Sequence, residues 1–155
     1  MKNNKGFTLI ELLVVIAIIG LLSTLAVVSL NSARAKSRDA KRVADVKQLQ
    51  TALELHFNDK GAYPSENAVL TLGAGEGSTL SADAGWDDVP VGTKYMSKVP
   101  AGPSVGATAY PYTYGVSDGT TYCISFDLEA AMTSLGATTD CKAEPAGMSC
   151  AGNCS

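Results

Sequence analysis

Residues 7–30 read FTLIELLVVIAIIGLLSTLAVVSL, almost wholly apolar except for Glu11 at the fifth position. The segment is 24 residues long. As an α-helix it would extend about 36 Å, beyond the roughly 30 Å hydrocarbon thickness of a bilayer. It can therefore span a membrane. A cleaved secretory signal has a core about half as long. The letters ARA at Ala33, Arg34 and Ala35 imitate its processing site, but Arg34 is a poor neighbour for that cut. A charge at the centre of a membrane helix costs about 2.5–3.5 kcal/mol. Glu11 lies only about 6 Å along the helix from Phe7, near enough to the interface to soften that cost. Ala17, Gly20, Ser23, Ala26 and Ser29 supply small positions through which such helices approach one another.

The charge is divided along the chain. The 155 residues carry a net charge of −3. Up to Lys47, eight basic residues (Lys2, Lys5, Arg34, Lys36, Arg38, Lys41, Arg42, Lys47) face three acids, leaving +5 there and −8 beyond. A basic, apolar front joined to an acidic, Gly-rich remainder points to two environments for one chain. Counting basic residues on either side of the apolar segment would place the C-terminal part in the cytoplasm. The cysteines argue the opposite way. Cys123, Cys141, Cys150 and Cys154 form an even set behind an export-type N-terminus, which reads as two disulfides in an oxidising compartment. Three pairings are open. The short Gly-containing loop favours Cys150–Cys154, with Cys123–Cys141 as the other bond. The lack of a paired C-x-x-C spacing argues against zinc.

Helical periodicity continues past the apolar segment. Val43, Val46, Leu49, Leu53 and Phe57 recur at three- and four-residue steps, with Lys41, Arg42, Lys47, Gln48 and Glu54 mostly on the other faces. The letters NDKG end the helix, with Gly61 as a left-handed cap. A helix from about Phe7 to Asp59 would be roughly 80 Å long. Downstream, Tyr110, Tyr112 and Tyr114 alternate, as do Tyr122, Ile124, Phe126 and Leu128, and Asp118–Gly119 between them signals a hairpin. A third strand within Ala137–Ala143 would be tied back through Cys141. The region from Tyr63 to Ala109 reads mainly as loops. The expected fold is α+β: a long N-terminal helix covering one face of a small antiparallel sheet.

The opening letters MKNNKG followed by FTLIE resemble the leader and start of a type IV prepilin, in the family that includes type II secretion pseudopilins. The matching features are a short basic leader, Gly6 at its end, Phe7 next and Glu11 fifth after the break. The resemblance implies a leader at 1–6, a transmembrane or filament-core helix at 7–30, its amphipathic continuation at 31–60 and an extracytoplasmic head at 61–155. It implies cleavage between Gly6 and Phe7 by a prepilin peptidase, which also N-methylates Phe7. Assembly would proceed from the cytoplasmic membrane, at a pilus assembly platform, into a homo-oligomeric helical filament on the cell surface. The new amine on Phe7 would pair with Glu11 of a neighbour, since opposite charges attract strongly at low dielectric. Family members commonly have proline twenty-second after the cut. Val28 stands there, leaving Gly20 as the place where the helix can loosen. The C-terminal cysteines resemble the disulfide-closed loop of type IV pilins, and KGAYPS and YMSKVPAGP resemble the pseudopilin segments after the helix and before the sheet.

No cofactor is expected. Major pseudopilins hold calcium with acids in this loop region, whereas this chain has Ala101 and Gly102 at the charged pair. Asp118 and Asp127 remain the nearby candidates for calcium, although acids in a hairpin turn and on a strand's wet face need no metal. Gly73, Gly75 and Gly77 lack the spacing and following helix of a phosphate-cradling loop. The lone His56 reads as a surface or rim residue, with no nucleophile or acid paired to it, and Trp86 as an aromatic filling a loop crevice. The run ARAKSRDAKR could hold DNA electrostatically, but lipid phosphates or acids on adjacent subunits suit it better. The chain reads as a non-enzymatic pilus subunit, with a type II secretion pseudopilin as the alternative. A membrane-tethered binding domain is the more distant reading.

Overall fold

The computed structural model describes residues 6–65, 69–116, 119–136, 138–150 and 154. Residues 1–5 of the expected leader lie outside these, as do Asp118 of the expected hairpin turn and Ala137 of the expected third strand. The chain divides into two compact units, Met1–Lys36 and Ser37–Ser155. One helix, α1 (Leu9–Lys60), contributes to both. In the first unit it exposes its apolar residues on every side, and it runs unbroken through Gly20 and Val28. Among the described residues it is the one helix long and apolar enough to cross a membrane.

In the second unit α1 becomes amphipathic. Val46, Leu49 and Leu53 are fully buried, and Val43 and Phe57 pack at the margin of the same core. The helix ends where the sequence places its stop. Gly61 adopts φ +74°, and its N–H donates to the Phe57 carbonyl at 2.7 Å. The five-stranded antiparallel sheet opposite has the order β1 (Leu70–Thr71), β7 (Thr113–Val116), β8 (Tyr122–Asp127), β9 (Asp140–Glu144), β10 (Gly147–Ser149). Along β8, Tyr122, Ile124 and Phe126 face the core while Cys123, Ser125 and Asp127 are half-exposed. This is the period-two alternation of a sheet with one buried face. Tyr112 and Tyr114 are fully buried, and Trp86 stacks edge-on to Tyr114 with centroids 5.2 Å apart.

The region expected to be loops contains more order. The strands β2 (Thr79–Ser81), β3 (Gly85–Asp87) and β4 (Lys94–Met96) form a small sheet, and β5 (Ser104–Val105) pairs with β6 (Thr108–Ala109). Each strand has only two or three residues, too few for alternation to be legible. At Gly102 an added Cβ would run into the Tyr110 carbonyl oxygen. That backbone approach leaves no room for a side chain at position 102.

The disulfides correct the favoured pairing: Cys123 bonds Cys154 and Cys141 bonds Cys150. Sheet register gives the reason. Cys141 stands opposite Phe126 and so belongs to the buried face, whereas Cys123 lies on the other face of β8. Their side chains cannot meet. In the β9–β10 hairpin, Met148 faces Ala143 and Ser149 faces Lys142, so Cys150 follows on opposite Cys141. This bond closes a separation of 9 residues. Replacing both cysteines by alanine should lower stability by about 2.5 kcal/mol on the loop-entropy scale, readable as a lower urea midpoint.

Candidate functional site

The first turn of α1 combines a carboxylate with apolar neighbours. The Thr8 carbonyl accepts the first helical bond, from Leu12 N–H at 3.3 Å, making Thr8 the N-cap. Its hydroxyl accepts from Glu11 N–H at 3.3 Å. Glu11 Oε2 in turn accepts from Thr8 N–H at 2.8 Å and from the Thr8 hydroxyl at 2.6 Å. This is a reciprocal capping box, T-x-x-E, which satisfies backbone donors the helix cannot satisfy internally. The three-residue spacing from Thr8 to Glu11 carries the signal for this box in the sequence. Glu11 Oε1 has no partner among the described residues. Around it Phe7, Ile10, Val14 and Val15 line a shallow, almost wholly apolar depression, and Phe7 is 79 % exposed. Gly6 is exposed beside it. Gly6, Phe7 and Glu11 thus fall within one exposed helix start.

The second cluster lies wholly in the unit Ser37–Ser155. Asp39 and Arg42 are buried on the face of α1 that also carries Val46, which corrects the expectation that Arg42 points away from the core. The steps back from Leu49 through Val46 reach Arg42 and Asp39, so the stripe was legible, but charge masked it. Asp39 accepts from Glu129 N–H at 2.9 Å, from Ala130 N–H at 3.1 Å and from Arg42 Nη1. Arg38 grips Glu129 in a two-bond fork at 2.6 and 2.5 Å. Arg42 Nη2 stands 3.0 Å from Glu129 Oε1 without the alignment of a hydrogen bond. The Arg42 guanidinium lies 4.3 Å from the Tyr110 ring centroid, a cation–π contact. A little further along, Tyr112 donates to Asp45 at 3.1 Å. The Asp39 and Arg38 bonds lock the segment after β8 onto the helix, and the Tyr112 bond ties the start of β7 to it.

The Arg38 hydrogen bonds hold the Glu129 carboxyl at about 2, against an opposing effect of burial and with further help from Arg42. A folded-state value below the unfolded one, about 4.3, contributes stability that is complete above the unfolded value. That stability is lost as pH falls toward about 2. Stability measured from pH 5 down to 2 should therefore fall more steeply in the wild type than in Glu129→Gln.

His56 is buried rather than a surface residue. Its Nδ1 lies 2.9 Å from the Ala62 carbonyl, its ring meets Tyr95 edge-on, and burial pushes its pKa down. Asp127 faces Asp140 across the β8–β9 ladder; burial, then that neighbour, raises its carboxyl pKa. Asp118 lies outside the described residues. Among the described residues no three His, Cys, Asp or Glu side chains gather as a metal site. Within the basic run considered for DNA, Arg38 and Arg42 are engaged by carboxylates.

Comparison with known proteins finds a family match at the start of the chain and relatives similar over part of it. Residues 1–27 match the prokaryotic N-terminal methylation motif. The chain is 41 % identical over 68 residues to type II secretion system core protein G of Escherichia coli strain K12, covering 44 % of this chain and 47 % of that protein. It is 40 % identical over 61 residues to the type IV major pilin protein PilA of Myxococcus xanthus, covering 39 % and 28 %. With the type IV wide pilus major component PilA4 of Thermus thermophilus it shares 40 % over 70 residues, covering 45 % and 53 %. The chain spans about half the length, or less, of these curated relatives. No solved structure matches it.

Proposed function

We propose that this chain, whose residues 1–27 match the prokaryotic N-terminal methylation motif and which is similar to type IV pilins and to a type II secretion core protein, is a structural subunit of a type IV pilus. Its relatives are named as pilins and as a secretion-system core protein, and it is not an enzyme. The chain is held in the cytoplasmic membrane by residues 7–30 with its head outside. A prepilin peptidase cuts after Gly6 and methylates the new Phe7 amine, and an assembly platform extracts the subunit into the filament.

The observation that carries this reading is the exposed start of α1, where Glu11 keeps one oxygen unpartnered beside an apolar depression. Cleavage creates a cationic amine on Phe7, and the same amine on a neighbouring subunit fits that oxygen. Within a bundle of apolar helices the attraction is far stronger than in water. Uncut chains present no amine there, which makes processing a gate on assembly.

Mass analysis of fibres sheared from cells tests the reading. Subunits should begin at N-methylated Phe7. Fibres built from chains still carrying residues 1–6 would overturn it, as would a chain that stays uncut and monomeric in the membrane. The similarity to core protein G favours a second reading, a pseudopilin whose short fibre serves secretion. It is distinguished by loss of protein export, without loss of surface fibres, when the subunit is deleted.

A further inference from the structure

The unit Ser37–Ser155 carries two exposed surfaces of opposite character. On α1, Lys41 and Lys47 are exposed and make no ion pair among the described residues. At 3.6 residues per turn they flank Ala44 on the face away from the core, and three turns on from Ala44 the same face exposes Leu55. The second surface is the connection after β3. Asp87 Oδ1 accepts from Asp88 N–H at 2.7 Å and from Val89 N–H at 3.4 Å. Val91 N–H donates to Ser81 Oγ at 3.1 Å, and its carbonyl accepts from Asp83 N–H at 3.2 Å. The backbone is thus tied down, yet Val89 is 64 % exposed and Val91 52 %. This ridge presents Asp88 and two valines to solvent, with Asp87 half-buried beside them. Lys94 stands opposite Ser81, at the Val91 end of the ridge, whereas Asp87 stands opposite Thr79 at its acidic end.

These surfaces do not neutralise each other within one chain. The small sheet is tied to the C-terminal end of α1 by Lys60–Asp83 at 2.7 Å and by Tyr95–Asp59 at 2.7 Å. Lys47 and Lys41 lie about 20 and 28 Å back along the helix from Lys60, beyond the Debye length of about 8 Å at physiological salt.

We propose that the Asp87–Val91 ridge of one subunit docks on the Lys41–Lys47 face of a second copy of this chain. The inference rests on the polymer reading above and adds the contact between heads. Acids meet lysines, and Val89 and Val91 lie against Ala44, whose small side chain allows close approach. Because the two patches differ, the contact is heterologous and repeats head to tail, the kind of contact an open filament requires when the rotation between copies does not close a ring.

Paired charge reversals in cells expressing the full chain test it. Asp87 anchors the turn, so the ridge is inverted by D88K with V89K, and the helix face by K41E with K47E. Each variant alone should give at least about tenfold fewer sheared fibres, because like charges then meet at the contact. Co-expression of the two should restore fibres containing both chains, since every junction again pairs opposite charges. Rescue also excludes misfolding, as a misfolded chain cannot co-assemble. Undiminished fibres from either variant alone, or no rescue on mixing, overturns the contact while leaving the polymer reading intact. A wild type that forms no fibres removes both.

Discussion

Asp39→Ala should lower the stability of the head by about 3–5 kcal/mol, the range for breaking a buried ion pair from one side. Arg42 is fully buried, and without Asp39 its charge loses its closest counter-ion. The N–H groups of Glu129 and Ala130 lose their acceptors in the same step. Domain stability is typically about 5–15 kcal/mol, so this single change removes a large share. Trp86 is the only tryptophan and is buried, so its fluorescence during urea unfolding of the detergent-solubilised full chain reads the loss. Adding Arg42→Met should recover part of it by removing the stranded charge. A loss below about 1 kcal/mol in the single variant, the level of a surface pair, would show that the cluster is not buried in solution.

Glu11→Ala should reduce sheared fibres by about a hundredfold or more while the chain still accumulates in the membrane. Stranding an amine among apolar helices costs about 3–5 kcal/mol at each junction, and every 1.4 kcal/mol is tenfold in an equilibrium. Alanine also deletes half of the capping box, so Glu11→Gln separates the roles. Glutamine keeps an acceptor for Thr8 but carries no charge. Assembly failure in both variants supports the amine–carboxylate pair. Normal fibres from Glu11→Gln would mean that the carboxylate serves only to start the helix, a role worth about 1 kcal/mol.

The features legible in the sequence were those whose physics is local. An apolar run of 24 residues, its single acid, the cap at Gly61 and the alternation along Tyr122–Leu128 each depend on neighbours a few positions away. The motif at residues 1–27 belongs to the same class. Thr8 too was within reach, as a three-residue spacing.

Tertiary structure alone decided the rest. The cysteine pairing follows from which face of β8 and β9 each sulfur occupies, a matter of register between strands 13 or more residues apart. Loop length, the only guide in the sequence, pointed to the other pairing. Arg42 and Asp39 could be buried because Glu129 and the Glu129 and Ala130 amides arrive from 90 residues away to satisfy them. Seen from the helix alone, two charges on a stripe read as a solvated edge. Burial of charge depends on partners, and partners distant along the chain become neighbours only once it has folded.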